Sequence, residues 1–332
     1  MSISKSEDHV PREPTLTRKK APKPSRLINQ SQPNGVRSET PSRILDQVLD
    51  LPSYVSELNT LLSSVPVDLK RVSKIIREHP KLSDHIMHLC KLRIAGFDDQ
   101  NGSIDHGVVF LGTQQMRTLI LACCMIVDIG SCYSSSQLRS FWQHGFLTAS
   151  LSERIALYIG YRGPTTAWRA GLFHDAGALA LVRWAADTRG AGPSANAICG
   201  EVTEEERKSF GTDHCFVGGL IGRKWGLPEE IVDVLEFHHN PDGSKYDHAL
   251  VGIVAVADKY CVGRGIKFQL VKEPPGEPPD DSFLQALCYL LPGLDNDLAR
   301  NLKDVLEITY LQKINHLSSN CGSVFGGVGL QV

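Results

Sequence analysis

Apolar residues recur at three- and four-residue spacing along most of the chain from residue 43 onward, which is the period of an α-helix. The first such run contains Ile44, Val48, Leu51, Val55 and Leu58. No run alternates apolar and polar residues over the length of a β-strand. The pattern therefore predicts an all-α fold, a compact bundle of many helices.

Prolines and glycines divide this pattern into separate predicted helices. One helix follows Pro66, breaks at Pro80 and restarts with Ser83 as a candidate cap. A break is expected over residues 96–107, followed by a turn at Gly112. The strongly apolar segment that comes next predicts a helix that is largely buried.

Most of the histidines fall in the helices predicted after residue 135. Residues 136–160 predict an amphipathic helix with His144 near its middle, and residues 165–186 predict one that contains His174 and Asp175. A Gly/Pro/Ser-rich loop at 189–196 follows, and after it the sequence predicts a short acidic helix. The next predicted helix is capped by Thr212 or Asp213 and ends at Gly226. Two more are predicted, one from Pro228 to Asn240 and an apolar one over 247–262.

A Pro-rich interruption at 273–281 separates the last two predicted amphipathic helices, over residues 281–316, from the rest of the chain. These helices are either a final layer on the core or an oligomerisation element, and we favour the former. The pattern leaves the oligomeric state open.

The N-terminal segment has a different composition. Residues 1–43 carry nine Lys/Arg against four acidic residues, with many Pro and Ser and few aromatic residues. Such a segment buries too little apolar surface to offset its ordering entropy, so residues 1–42 are predicted to be a disordered basic tail. The alternative is an arm that touches a membrane, a nucleic acid or a protein partner.

Composition narrows the class of protein. The 332 residues are 42% hydrophobic and carry a net charge of −2, so only the tail offers a positive surface for nucleic acid. No segment holds 18 uninterrupted apolar residues, and no membrane span is expected. The nine cysteines have no CxxC spacing and predict reduced core residues of a cytoplasmic protein.

Histidines and aspartates scattered over residues 144–258 are the main candidates for chemistry. Imidazole and carboxylate together suit a divalent ion such as Mn, Fe, Zn or Mg. A single buried histidine is more often a hydrogen-bonded core residue, so the prediction rests on the set: His144, His174, Asp175, His214, His238, His239 and Asp258. Arg154 and Arg183 are weaker candidates for binding phosphate, since each is more often a solvated helix-face charge.

The segments FWQHGFLTASLSERIA, AGLFHDAGALAL, DHCFVGGLIGRKWGLPEEI and VAVADKYC follow one another as in the HD superfamily. With LPSYVSELNTLL and IIREHPKLSDHIMHLCKL before them, the chain resembles an HDOD (HD-related output domain) protein over roughly residues 48–265. The resemblance implies a domain over 43–266, with an N-terminal helical lobe at 43–135 and an HD-like lobe at 136–266. It also implies a regulatory role in bacterial signalling.

The catalytic branches of the superfamily imply roles for these residues. His174 and Asp175 would be ligands of a first metal with Asp258 opposite, while His144, His214 and one or both of His238 and His239 would hold a second. The implied reaction is hydrolysis of a phosphomonoester or phosphodiester. His238 and His239 lie about 100° apart on a helix, so one of them is expected to cap the helix C-terminus instead.

Two departures weigh against catalysis. Ala178 stands where the related HD-GYP cyclic-dinucleotide phosphodiesterases have a phosphate-binding lysine, and NPDGSKYDH replaces their Gly-Tyr-Pro segment. Two hypotheses follow. The preferred one is a bacterial signal-transduction or regulatory protein that acts through signalling partners and retains a metal site, and the alternative is a metal-dependent phosphohydrolase.

Overall fold

The computed structural model describes residues 51–93, 97, 102–129, 135–189, 203–266, 281–291 and 293–326. Within these ranges the regular structure is helical and no strand occurs, which confirms the predicted all-α class. The helices are α1 (Ser53–Ser63), α2 (Leu69–Glu78), α3 (Pro80–Arg93), α4 (Ile104–Ile129), α5 (Ser135–Tyr158), α6 (Pro164–Phe173), α7 (Ala176–Arg189), α8 (Thr203–Phe210), α9 (His214–Lys224), α10 (Glu229–Phe237), α11 (His248–Gly263), α12 (Asp281–Leu290) and α13 (Asn296–Gly326).

Several predictions fall on residues outside these ranges. They are the basic tail over 1–42, most of the loop at 189–196 and most of the Pro-rich interruption at 273–281. The division of the domain into lobes at residue 135 stays a prediction.

Side-chain caps fix where several helices begin. The Asp213 carboxylate accepts a hydrogen bond from the Phe216 N–H at 2.8 Å, so Asp213 is the cap of α9, one of the two candidates. Helix α3 begins at Pro80, and the predicted start after Ser83 is wrong. Proline lacks the N–H that a first turn leaves unpaired, so Pro80 fits the start of a helix as well as its end.

Helix α4 contains the predicted turn. Gly112 has φ of 73°, outside the helical region, and it divides α4 into two helical parts. The break expected over 96–107 is shorter than predicted, because α4 already begins at Ile104. After the turn, Met116, Leu119 and Cys123 are fully buried, as expected of the most apolar segment.

The His174-Asp175 pair lies between two helices. A single helix over 165–186 was predicted, and this prediction is wrong: α6 ends at Phe173 and α7 begins at Ala176. The Ala178 N–H donates to the Asp175 carbonyl at 2.9 Å, which closes a tight turn at the junction. Both side chains therefore project from helix ends into the interior.

The helices that carry the histidines are neighbours. Helix α5 packs against α6, α11 and α13, while α9 packs against both α7 and α10. The largest fully buried side chains include Trp168 on α6 and Trp225 after α9. This packing places the predicted ligands around one interior region.

The C-terminal helices form a layer on this core. Helix α13 packs on α5 and buries Ala299, Leu302 and Leu306, while α12 packs on α11. The arrangement agrees with the favoured interpretation of residues 281–316.

Among the residues that the structure describes, one stretch, Ile104–Cys124, is long and apolar enough to cross a membrane by length and composition alone. Within it, 56% of the most apolar window is buried in the protein, and core helices commonly pass the same test. Among the cysteines with described side chains, five are buried and Cys288 is half-buried.

Candidate metal centre

Residues from five parts of the fold meet at the predicted site. They are His144 in the middle of α5, the α6–α7 junction with His174 and Asp175, the first residue of α9, the end of α10 with His238 and His239, and Asp258 on α11. Six of these seven side chains are at most 6% exposed, and His239 is half-buried. The structure brings all seven together.

The first half-site consists of His144, His174, Asp258 and the Oδ2 atom of Asp175. The His144 and His174 Nε2 atoms are 3.0 Å apart. Asp175 Oδ2 lies 3.3 Å from His144 Nε2 and 3.4 Å from His174 Nε2, and Asp258 Oδ1 lies 3.2 and 3.6 Å from the same atoms. The resemblance had assigned His144 to the second metal, whereas the geometry groups it with the first.

The second half-site consists of His214, His238 and the Oδ1 atom of Asp175. The two Nε2 atoms are 3.3 Å apart. Asp175 Oδ1 lies 3.6 Å from His214 Nε2 and 3.5 Å from His238 Nε2. The carboxylate of Asp175 thus faces both half-sites, one oxygen to each.

Each of the four central imidazoles is anchored through its outer nitrogen. The Nδ1 atoms of His144, His174 and His238 lie 2.9, 2.8 and 3.0 Å from the carbonyl oxygens of Ile266, Gly171 and Val234. His214 Nδ1 lies 2.7 Å from the Glu206 carboxylate. A proton on each Nδ1 leaves each Nε2 lone pair facing the centre, which is how histidine ligands of metals are oriented.

The bridging carboxylate provides a test of whether metal ions fit. Both oxygens of Asp175 are buried, and neither accepts a hydrogen bond within the described residues. Burial of an unpaired carboxylate is costly, and coordination to a cation compensates for it. Donor atoms of His144, His174 and Asp258 lie within 4.8 Å of one another, and the Nε2 atoms of His214 and His238 lie within 3.6 Å of Asp175 Oδ1. The residues therefore fit a divalent ion in each half-site.

The electrostatics favour positive charge at this point. Burial disfavours the charged form of His144, but the carboxylates of Asp175 and Asp258 outweigh it and raise its pKa to about 10. Burial also opposes ionisation of Asp175, yet the surrounding imidazoles, His174 first, hold its pKa well below the ordinary aspartate value. The same attraction stabilises any cation placed among these groups.

Glu206 is a site residue that the sequence reasoning missed. It is fully buried on α8, and its Oε2 accepts hydrogen bonds from both the backbone N–H of His214, at 2.8 Å, and its Nδ1, at 2.7 Å. The sequence indicated only a short acidic helix. The sequence feature that could have indicated this contact is an acidic residue eight positions before His214, the first residue after a predicted helix cap.

His239 and Cys215 extend the second half-site. Donor atoms of His214, Cys215, His238 and His239 all lie within 4.8 Å of one another. His239 Nε2 is buried and makes no hydrogen bond to any described residue, and burial together with His238 and His214 lowers the His239 pKa to about 2. The His239 ring is therefore neutral. It does not act as the charged imidazolium that the sequence suggested, for His238 or His239, as a cap at the helix C-terminus.

A cavity of about 320 Å³ adjoins the second half-site. Its lining includes Cys215 and His239, the basic side chains of Arg207 and Lys245, and the acidic side chains of Asp213 and Glu236. Arg207 pairs with Asp213 at 2.5 Å, and Lys245 lies over the Phe237 ring. The cavity is a route by which a small ligand can approach this side of the centre.

The two arginines predicted to bind phosphate lie farther away along their helices. Arg154 is exposed on α5, ten residues after His144, which corresponds to about 15 Å of helix rise. Arg183 is half-buried on α7, eight residues after Asp175, or about 12 Å of rise. Their role in phosphate binding stays a prediction.

A family model for the HDOD domain matches residues 48–241, more than half of the chain. The chain belongs to the HDOD domain family. The HDOD family model therefore covers the N-terminal helices and most of the metal centre, while Asp258 and the C-terminal helices lie beyond the matched residues.

Solved structures support the fold. An HDOD domain protein of unknown function from Geobacter sulfurreducens is 23% identical, with a TM-score of 0.57, and 85% of this chain matches 97% of that one. A protein from Shewanella amazonensis SB2B, provisionally named a phosphohydrolase, is also 23% identical, with a TM-score of 0.57, over 84% of this chain and 100% of that one. At these identities the likeness concerns the fold alone.

An uncharacterized protein of Treponema pallidum (strain Nichols) is 21% identical over 247 residues, which are 71% of this chain. The match covers 46% of that protein, so the chain spans about half the length of this curated relative.

Proposed function

We propose that this HDOD protein is a bacterial signal-transduction or regulatory protein whose helical body carries a two-metal centre. The observation that carries the proposal is the arrangement around Asp175: four imidazole Nε2 atoms within 3.3–3.6 Å of a carboxylate whose two oxygens accept no hydrogen bond in the described part of the chain. His144, His174 and Asp258 would hold one divalent ion and His214 and His238 the other, with Asp175 between them.

A regulatory role is supported by the low solvent exposure of the central ligands. The six central ligand side chains are at most 6% exposed, and Ala178 occupies the position of the phosphodiesterase lysine. Bound ions would stabilise the folded state and fix the relative positions of α5, the α6–α7 junction, α9, α10 and α11. A partner that recognises this helical body would then respond to metal occupancy. Action in the cytoplasm and contact with signalling proteins form part of the proposal.

Metal content and turnover test the proposal together. Purified protein is expected to contain about two divalent ions per chain by elemental analysis and to leave bis(p-nitrophenyl) phosphate intact. His174→Ala and Asp175→Ala should lose metal, while His248→Ala, which changes an exposed histidine outside the centre, should retain it. Protein that binds no divalent ion would overturn the proposal.

A metal-dependent phosphohydrolase is the second candidate, and the cavity beside His239 favours it. Two divalent ions bring four positive charges, whereas Asp175, Asp258 and Glu206 supply three negative ones, so the loaded centre would keep one positive charge and attract an anion. Metal ions of this kind activate water and stabilise charge on a phosphate ester. From the chain itself, Arg207 and Lys245 would orient the ester in the cavity, and the Asp175 carboxylate would keep the imidazoles in position.

The same assay separates the two candidates. Turnover of the phosphodiester by wild-type protein that disappears in both His174→Ala and Asp175→Ala, but not in His248→Ala, would establish the second candidate and reject the first. Metal without turnover of phosphodiester or phosphomonoester substrates would reject the second candidate.

The basic N-terminal tail raises the separate question of nucleic-acid binding. A direct contact of residues 1–43 with nucleic acid would produce binding that weakens steeply as salt increases and that disappears when the tail is deleted. Outside this tail we expect no contact with nucleic acid, because the charge of the whole chain is −2.

A further inference from the structure

We propose that Cys215 is a ligand of the second metal ion, which it would bind together with His214, His238 and His239 as a three-histidine, one-thiolate zinc position. This inference rests on the proposed two-metal centre and assigns a specific metal to one half of it. It also changes the role of a cysteine that the sequence pattern indicated only as a core residue.

The geometry of the cluster carries the inference. One donor atom from each of these four residues lies within 4.8 Å of every other, a spacing at which a single ion can reach all of them. Cys215 Sγ is 3.5 Å from His214 Nε2, and His214 Nε2 is 3.3 Å from His238 Nε2. The rings of His238 and His239 have centroids 4.3 Å apart.

His239 provides an independent indication of a missing partner. Its Nε2 atom is buried and makes no hydrogen bond within the described residues. A buried polar atom of this kind normally has a partner. A cation held by the neighbouring donors would supply one.

The donor types distinguish the two half-sites. The first half-site offers two imidazoles and carboxylate oxygens, a mixed set that suits Mn, Fe or Zn. The second offers three imidazoles and a sulfur atom, and soft thiolate ligands select Zn over Mg or Mn. Four such donors also match the usual coordination number of zinc. Binding would convert the Cys215 thiol to a thiolate and release its proton to solvent.

X-ray absorption of the zinc-loaded full-length protein tests the inference directly. A sulfur scatterer at about 2.3 Å from zinc, beside nitrogen at about 2.0–2.1 Å, is the expected result. A first shell containing only nitrogen and oxygen would overturn the assignment. Because this measurement uses the wild-type chain, it does not depend on the folding of any variant.

Cobalt substitution identifies the thiol. Co²⁺ added to metal-depleted protein should give a near-ultraviolet sulfur-to-cobalt charge-transfer band, and Cys215→Ser should abolish it. Cys261→Ser is the matched control, since Cys261 is likewise buried and lies three residues after Asp258, beside the first half-site. A band that survives Cys215→Ser would refute the assignment of this thiol.

A further variant separates this inference from the proposed function. His144→Ala removes a donor from the first half-site only, so the cobalt band should persist while the metal content decreases towards one ion per chain. Two bound ions with no sulfur ligand would sustain the two-metal centre and reject the Cys215 inference. No bound ion would reject both.

Discussion

At the scale of single residues, Glu206 determines how His214 presents its donor atom. The carboxylate is fully buried and accepts from both the backbone and the ring of His214. Replacing Glu206 with glutamine keeps the shape of the side chain but removes the charge that orients the His214 ring as a metal ligand. Groups that hydrogen-bond to the non-coordinating nitrogen of a metal-binding histidine commonly contribute 10–100-fold to metal affinity.

We therefore expect Glu206→Gln to weaken binding of one of the two ions by about 10–100-fold and to leave the other nearly unchanged. Competition titration with a chelator measures both affinities. Glu204→Gln is the control, because Glu204 is exposed on the same helix. Equal loss of both ions, or of neither, would contradict the role assigned to Glu206.

Asp233 is a second residue whose charge has a defined structural role. Its carboxylate accepts hydrogen bonds from Ser244 Oγ at 2.6 Å and from the backbone N–H groups of Lys245, Tyr246 and Asp247 at 2.9–3.1 Å. These bonds hold the connection between α10 and α11. Burial opposes ionisation of Asp233, but the donors outweigh it and lower its pKa.

A lowered pKa means that the ionised form stabilises the fold above the ordinary aspartate pKa of about 3.9, and that this contribution disappears as the pH falls through the folded-state value. Asp233→Asn should cost about 1.5–3 kcal/mol of unfolding free energy at neutral pH. In acid the difference from wild type should shrink. Urea unfolding at both pH values measures it, and a difference that grows in acid would contradict the argument.

At the scale of elements, the centre depends on how closely α7 approaches α9. A Cβ atom at Gly177 would lie 1.9 Å from the His214 carbonyl oxygen and 2.6 Å from the Gly218 nitrogen. Both are backbone atoms, so a side chain at this position requires the helices to separate. The absence of a side chain at residue 177 thus brings His214 next to Asp175.

Gly177→Ala should therefore destabilise the protein by about 1–3 kcal/mol, in the range of overpacked cores, and weaken binding of the second ion. Gly145→Ala is a milder comparison, because its Cβ would meet Leu172 O at 3.3 Å. Thermal unfolding and metal titration of the two variants test the difference. Similar effects of the two changes would indicate that the α7–α9 approach has no special role.

At the scale of the whole molecule, the proposed metal ions would connect helices that are distant in sequence, from α5 to α11. Binding to the folded state alone adds about 2.7 kcal/mol when free metal is 100 times the dissociation constant. For a body of this size, that corresponds to an increase in Tm of roughly 5–10 °C. Calorimetry with excess zinc and with a chelator measures the shift. An unchanged Tm would mean that binding does not favour the folded state.

Much of the fold could be predicted because helical period and caps are local features. The start of α9 at Asp213 and the turn at Gly112 follow from residue types within a few positions. The junction at His174-Asp175 could not be predicted, since the apolar period continues across it and tertiary packing determines the break. The pairing of Glu206 with His214 and the close approach at Gly177 likewise depend on how helices meet in space.

The near-complete enclosure of the central donor atoms has a kinetic consequence. With side chains at most 6% exposed and the cavity on the other side of the centre, an ion in the first half-site can enter or leave only when neighbouring helices separate briefly. Such openings are local unfolding events, each with its own free energy. Exchange of a bound ion would therefore be no faster than these openings of the helical bundle. The identity of the bound ion would then change more slowly than the ion concentrations around the protein.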